Sequence, residues 1–175
     1  ASDVYKRQIM NLMLEEKPVP VDILKTTIRK ACIARTLTPV FCGSAYKNKG
    51  VQLLLDGVRD YLPSPLDRQY FGYDNEAKEK VEVFSDPSKP LIAMAFKIVD
   101  ETFGQLTYTR IYQGTLKKGD SCFNPRMGKS QRIGRIVRLH SNSKEEIAEA
   151  SAGDIIAMVG VDCASGDSYC NEAIN

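Results

Sequence analysis

Two stretches of this sequence carry residue types whose spacing suits chemistry. The first is Gly43-Ser44-Ala45, which comes after the apolar run Leu37 to Cys42 and precedes a polar loop, Lys47-Asn-Lys-Gly50. Small residues leaving the carboxyl end of a strand let a ligand come close to the backbone and accept hydrogen bonds from its N–H groups, in the crevice where open α/β sheets bind. A tight strand-to-loop turn with no ligand satisfies the same tripeptide. The second stretch is basic: no acidic residue occurs between Asp120 and Glu145, while Arg126, Lys129, Arg132, Arg135, Arg138 and Lys144 all do. On a small β-domain such a run suits the phosphates of folded RNA recognised by shape, with Lys129, Arg132, Arg135 and Arg138 as the candidate contacts. A solvated face is the plain alternative. Arg132, Arg138 and His140 share strand parity, whereas Arg135 falls with Ile133, Val137 and Leu139, so a twist or bulge near Gly134 is needed to bring it to solvent.

Other chemistry is poorly supplied. No nucleophile, base or acid pair forms a recognisable pattern, and His140 alone at the end of a strand reads as structural. The five cysteines (Cys32, Cys42, Cys122, Cys163, Cys170) are odd in number and contain no C-x-x-C pair, so they read as reduced, small hydrophobes and not as a zinc site; no metal is expected. Tyr and Phe at positions 96, 103, 108, 112 and 123 interleave poorly with the basic residues and fit barrel core and turn packing better than a base-stacking platform. Twenty-four Lys and Arg against 22 Asp and Glu leave a formal charge of +2, so any basic signal is local. No apolar run approaches the ~18 residues of a membrane-spanning helix.

These candidates need elements to hold them. From Pro20 to Arg35, Val21, Leu24, Ile28 and Ala31 recur at three- and four-residue steps, which predicts an amphipathic helix entered at Pro18-Val-Pro20. Leu37 to Cys42 is expected as a buried strand. Val51, Leu54, Leu55, Val58, Tyr61 and Leu62 predict a second helix over 51–62, despite Gly57, which should cost about 1 kcal/mol against alanine. Residues 20–62 therefore read as helix, strand, loop, helix, the terminal portion of an α/β layer. A charged, Pro-containing linker is expected over 67–90. From 91 to 175 the rhythm is β, with strands expected at 91–99, 106–112, 121–123, 131–140 and 154–161 and Gly-containing turns between them, the pattern of a small antiparallel barrel. Residues 1–8 fit no later element of the pattern and are expected to be a non-native scar.

The context of the turn is more specific than the turn. Residues 38–67, TPVFCGSAYKNKGVQLLLDGVRDYLPSPLD, closely resemble the closing segment of the G domain of elongation factor G, in which the Gly-Ser-Ala turn is the fifth guanine-nucleotide box. FKIVDETFGQLTYTRIYQGTLKKGD (96–120), RIGRIVRLHSNSKEEI (132–147) and AGDIIAMVG (152–160) resemble the second domain of that family in the same order. VDCASGDS (161–168) is similar to the form found in mitochondrial and mitochondrial-like bacterial factors, with Ser168 where Thr is more usual.

The resemblance implies a fragment of a translational GTPase that promotes ribosomal translocation: an α/β remnant of a P-loop G domain followed by an all-β antiparallel translation-factor barrel. It implies that Gly43, Ser44 and Ala45 border the guanine base, with the Ala45 N–H donating to its carbonyl oxygen, and that the barrel docks on small-subunit ribosomal RNA. GTP and Mg²⁺ would serve the intact parent. The sequence holds no G-x-x-x-x-G-K-[ST] loop and no Asn-Lys-x-Asp box, so the chain alone is expected neither to bind nor to hydrolyse GTP. The implied setting is the cytoplasm, or the mitochondrial matrix in a eukaryotic source, for a monomer that contacts neither DNA nor membrane. Related readings are a ribosomal protection protein or a release-factor-type GTPase; a reading of another class is a free-standing RNA-binding barrel.

Overall fold

The computed structural model describes residues 2–74, 77–101, 104–141 and 143–171, and the chain divides into two compact units, Ala1–Arg68 and Gln69–Asn175.

The first unit is helical: α1 (Ser2–Leu14), α2 (Val21–Ile33), α3 (Val51–Tyr61) and a short 3-10 turn, Pro65–Asp67. Helix α2 starts directly after Pro20, and Asp22 in its first turn and Lys30 in its last complement its dipole. It packs against both α1 and α3. Arg29 on α2 joins it to the end of α3. Its Nη1 donates to the carbonyls of Asp60 at 3.0 Å and Leu62 at 3.2 Å, which α3 leaves without helical partners, and its Nη2 lies 2.5 Å from the Asp67 carboxylate. Asp67 in turn accepts the Ser64 N–H at 2.7 Å. Gly57 is the one fully buried residue of this unit among the described residues. A Cβ there would stand 2.3 Å from Cζ of Phe41, so the Phe41 ring occupies the space that glycine leaves on α3.

The second unit opens with a hairpin of β1 (Tyr70–Asp74) and β2 (Glu79–Val83), Tyr70 opposite Val83. Ten further strands complete it: β3 (Ile92–Glu101), β4 (Gly104–Gln113), β5 (Thr115–Lys117), β6 (Ser121–Asn124), β7 (Lys129–Arg132), β8 (Ile136–His140), β9 (Ser143–Ile147), β10 (Glu149–Ser151), β11 (Ile155–Val159) and β12 (Ser168–Cys170). Eight of them form one antiparallel sheet in the order β7-β6-β12-β3-β4-β11-β8-β9, and β5 pairs with β10. Inward residues from around the sheet, among them Ala95, Ile111, Leu116, Cys122, Ile133, Ile136, Ile156, Met158 and Tyr169, meet in one buried cluster, the core of a small barrel. Phe96 is the extra residue of a bulge between Ala95 and Lys97, which turns its ring out to 41% exposure. Gly114 has φ +79, and a Cβ there would lie 2.7 Å from the Leu91 backbone; glycine lets β4 turn into β5 at that point.

Several sequence expectations change here. Leu37 to Cys42 forms no strand and only Pro39 in it is even half-buried; a strand needs a neighbour to bond with, and among the described residues of this unit the only ladder contact is the single bridge Ser44 to Lys49. The linker expected over 67–90 contains the β1–β2 hairpin. Its remainder is stitched to β4, with Gln113 accepting the Phe84 N–H and donating to the Pro90 carbonyl, both at 3.0 Å. The hairpin is held by Arg110, whose guanidinium sits 5.3 Å from the Tyr70 ring centroid and 5.0 Å from that of Tyr112 and donates to the Tyr70 hydroxyl at 3.0 Å. The strand expected over 131–140 is two strands, broken at 133–135. The first helix, α1, begins at Ser2; its helical backbone leaves the expectation of a non-native scar over 1–8 untouched.

Candidate functional site

Gly43, Ser44 and Ala45 form a small loop closed by two backbone bonds: the Ser44 N–H donates to the Lys49 carbonyl at 2.9 Å, and the Lys49 N–H donates back at 3.0 Å. Asn48, at φ +49, turns the loop and donates its N–H to the Ala45 carbonyl at 3.1 Å. Gly43 and Gly50 face each other across the neck. A Cβ on Gly43 would lie 2.7 Å from the Lys49 oxygen, and one on Gly50, itself at φ +75, 2.9 Å from the Cys42 oxygen. This close approach requires glycine at both positions. The loop borders an open cavity of about 210 Å³, lined further by Phe41, Val51 and Leu54. Ala45 is exposed, and its N–H donates to no group among the described residues. The turn thus offers one backbone donor and a surface without bulky side chains, which fits the edge of a planar base. Phe41, seated on Gly57, anchors the chain as it enters the turn.

The basic residues are spread over β7, the break at 133–135 and β8, and they differ in their partners. Lys129 and Arg132 stand at the two ends of β7, at one margin of the sheet, exposed and without an ion pair among the described residues. Arg138 lies on β8, close to the other margin, with Nη2 3.8 Å from Asp154. Arg135, in the break between β7 and β8, does reach solvent, and its Nε lies 3.4 Å from Glu146. The acid-free run in the sequence is therefore not acid-free in space, because β9 and the turn before β11 bring carboxylates to β8. His140 is exposed, with Nε2 4.0 Å from Glu145. Of the aromatic positions, Tyr108, Tyr112 and Phe123 are half-buried, and position 103 lies outside the described residues.

A third cluster escaped sequence reasoning. Asp167, its side chain 2% exposed, accepts Arg126 Nε at 2.5 Å, Arg126 Nη2 at 2.9 Å, Asn124 Nδ2 at 2.9 Å and the Ala164 N–H at 2.9 Å. The Arg126 guanidinium, despite the opposing burial, holds the Asp167 carboxyl well below its ordinary value of 3.8. The cluster fixes the loop 161–168 against β6 and forms one wall of a 270 Å³ cavity, with Tyr73 and Val81 of the hairpin on another. None of the five cysteines is in a disulfide; Cys122 and Cys170 are buried, and burial pushes the Cys122 thiol up to about 12.

Residues 104–170, which run from β4 to the end of β12, match the family described as elongation factor Tu domain 2. The chain is 53% identical over 169 residues to elongation factor G of Rhodopirellula baltica, an alignment that covers 96% of the chain and so runs through both units. The chain is similar to a segment of elongation factor G. Mitochondrial elongation factor G of Drosophila grimshawi is 50% identical over 94% of the chain. A crystal structure of a Thermus thermophilus protein superposes with a TM-score of 0.66 at 25% identity, covering 94% of this chain and 22% of that one. The chain spans about a quarter of the length of the elongation factor G relatives it matches (24% and 23%). Of the expected fold, an α/β remnant followed by an antiparallel translation-factor barrel, the two helices and the barrel are observed, and the strand between the helices is not.

Proposed function

We propose that this chain is the part of an elongation-factor-G-type translational GTPase that supplies a guanine-contacting turn and a ribosome-docking barrel, residues 9–66 closing the G domain and 91–175 forming the second domain. In the whole protein, GTP bound to the G domain would order its switch loops for ribosome binding, and hydrolysis would accompany movement of tRNA and mRNA. Gly43, Ser44 and Ala45 would border the base, the free Ala45 N–H donating to its carbonyl oxygen. The turn would meet the base alone, and the phosphates and Mg²⁺ would be held by other parts of the G domain. The barrel would meet small-subunit ribosomal RNA in the cytoplasm, or in the mitochondrial matrix in a eukaryotic source.

The observation that carries the docking half is the pair Lys129 and Arg132. They are exposed and unpaired among the described residues, while Arg126, Arg135 and Arg138 each face a carboxylate. Unpaired cations at a sheet margin can take phosphates without first breaking an ion pair; Arg135 and Arg138 would join as secondary contacts. Binding of the chain to purified small ribosomal subunits should weaken as salt rises. Lys129→Ala/Arg132→Ala should flatten the log–log slope by about two, at ~0.9 per phosphate contact. A slope unchanged in that variant refutes the docking assignment. The free-standing barrel is disfavoured because the similarity to elongation factor G extends through the helical unit.

A further inference from the structure

We infer that Glu146 is a built-in counter-anion that occupies, in the free protein, the place an RNA phosphate takes on docking. The inference rests on the proposed RNA contact and adds its regulation. Two cations from different segments converge on this one carboxylate: Lys118 Nζ lies 2.5 Å from Oε1 and Arg135 Nε 3.4 Å from Oε2. Their backbones are held in place, the Lys118 N–H donating to the Ala148 carbonyl at 2.8 Å and the Arg135 carbonyl accepting the Val159 N–H at 3.1 Å. Two positive groups positioned around a pair of oxygens also suit the two non-bridging oxygens of a phosphate.

Exchange is easy at this exposed site and not at Arg126. The Lys118, Arg135 and Glu146 side chains are 51%, 59% and 41% exposed, so their pairing is a weak, solvent-screened surface interaction that a phosphate can replace. Lys118 and Arg135 also hold the Glu146 carboxyl below its ordinary value, so it is charged and competes at neutral pH. Arg126, by contrast, is gripped through two nitrogens by a carboxylate that is 2% exposed and cannot leave its loop. The β9 strand that carries Glu146 thus tunes how strongly this side of the barrel attracts RNA.

The test measures binding of the 175-residue chain to a fluorescent A-form RNA duplex of about 16 base pairs, across roughly 50–200 mM salt. Glu146→Gln should tighten binding about three- to tenfold at the lowest salt and steepen the slope by about one to two. Glu145→Gln removes the same charge beside His140 without freeing Lys118 or Arg135, and should shift affinity less than about twofold. Adding Lys118→Ala/Arg135→Ala to Glu146→Gln should return the slope to that of the unmodified chain. Circular dichroism confirms folding, and Glu146→Asp, with a shorter reach, serves as a second variant expected between the two. If Glu146→Gln behaves as Glu145→Gln while Lys129→Ala/Arg132→Ala still weakens binding, the counter-anion role is wrong and the docking reading stands. If neither alters binding, both are wrong.

Discussion

Replacing Asp167 with alanine should destabilise the barrel by about 2–4 kcal/mol. The figure comes from which partners are stranded. Asn124 is 0% exposed, and its Nδ2 would lose the acceptor 2.9 Å away, leaving a buried donor at about 1–3 kcal/mol. The Ala164 N–H would lose its partner as well, releasing the loop 161–168. Arg126 adds less than a buried charge would, because its side chain is 56% exposed and rehydrates; this keeps the total below the ~3–5 kcal/mol of breaking a fully buried pair. Urea unfolding followed by far-ultraviolet circular dichroism should show the barrel transition at lower urea with an unchanged slope. The pH dependence gives a second reading. Because the Asp167 carboxyl is held below its ordinary value, its contribution is complete above that value and drains as pH falls through the lower, folded one. The stability gap between the unmodified chain and Asp167→Asn should therefore be constant near neutrality and shrink below pH ~4. A loss under about 0.5 kcal/mol for Asp167→Ala, or a gap independent of pH down to ~2, would refute the reasoning.

In the helical unit, Gly57→Ala should destabilise by roughly 1–2 kcal/mol, although alanine is the better helix former, because its methyl collides with the Phe41 ring; adding Phe41→Leu should recover most of the loss in urea unfolding. Limited proteolysis should cut within residues 9–66 before the barrel, since Gly57 is the one fully buried residue of that unit among the described residues; equal survival of both parts would contradict this.

The long periodic elements were legible in the sequence. The two helices expected over 20–35 and 51–62 appear as Val21–Ile33 and Val51–Tyr61, and the apolar runs at 91–99 and 106–112 became β3 and β4. Of the shorter strands, those expected at 121–123 and 154–161 appear as β6 and β11, whereas β5, β9, β10 and β12 were not legible, because their signal lies in pairing. In β9 four of five residues are exposed, and nothing in SKEEI announces a strand until β8 lies beside it. The hairpin at 70–83 hid behind its charged residues; its alternation, with Val81 and Val83 turned inward, was the signal present. Gly57 was read as a helix defect because Phe41, sixteen positions earlier, is a tertiary partner that periodicity cannot show. The basic run misled for a related reason: it was free of acids along the chain, but Glu146 and Asp154, outside it, close onto Arg135 and Arg138. Asp167 carried only the appearance of a Ser-Gly-Asp turn, and its role depends on Asn124 and Arg126 more than forty positions away.

Hydroxyl-radical footprinting of small ribosomal subunits with the 175-residue chain tests the docking reading most directly. The β7 cations predict a discrete set of RNA backbone positions protected at low salt, lost in Lys129→Ala/Arg132→Ala and retained in Gly57→Ala. No protection, or the same protection with the β7 variant, would contradict it.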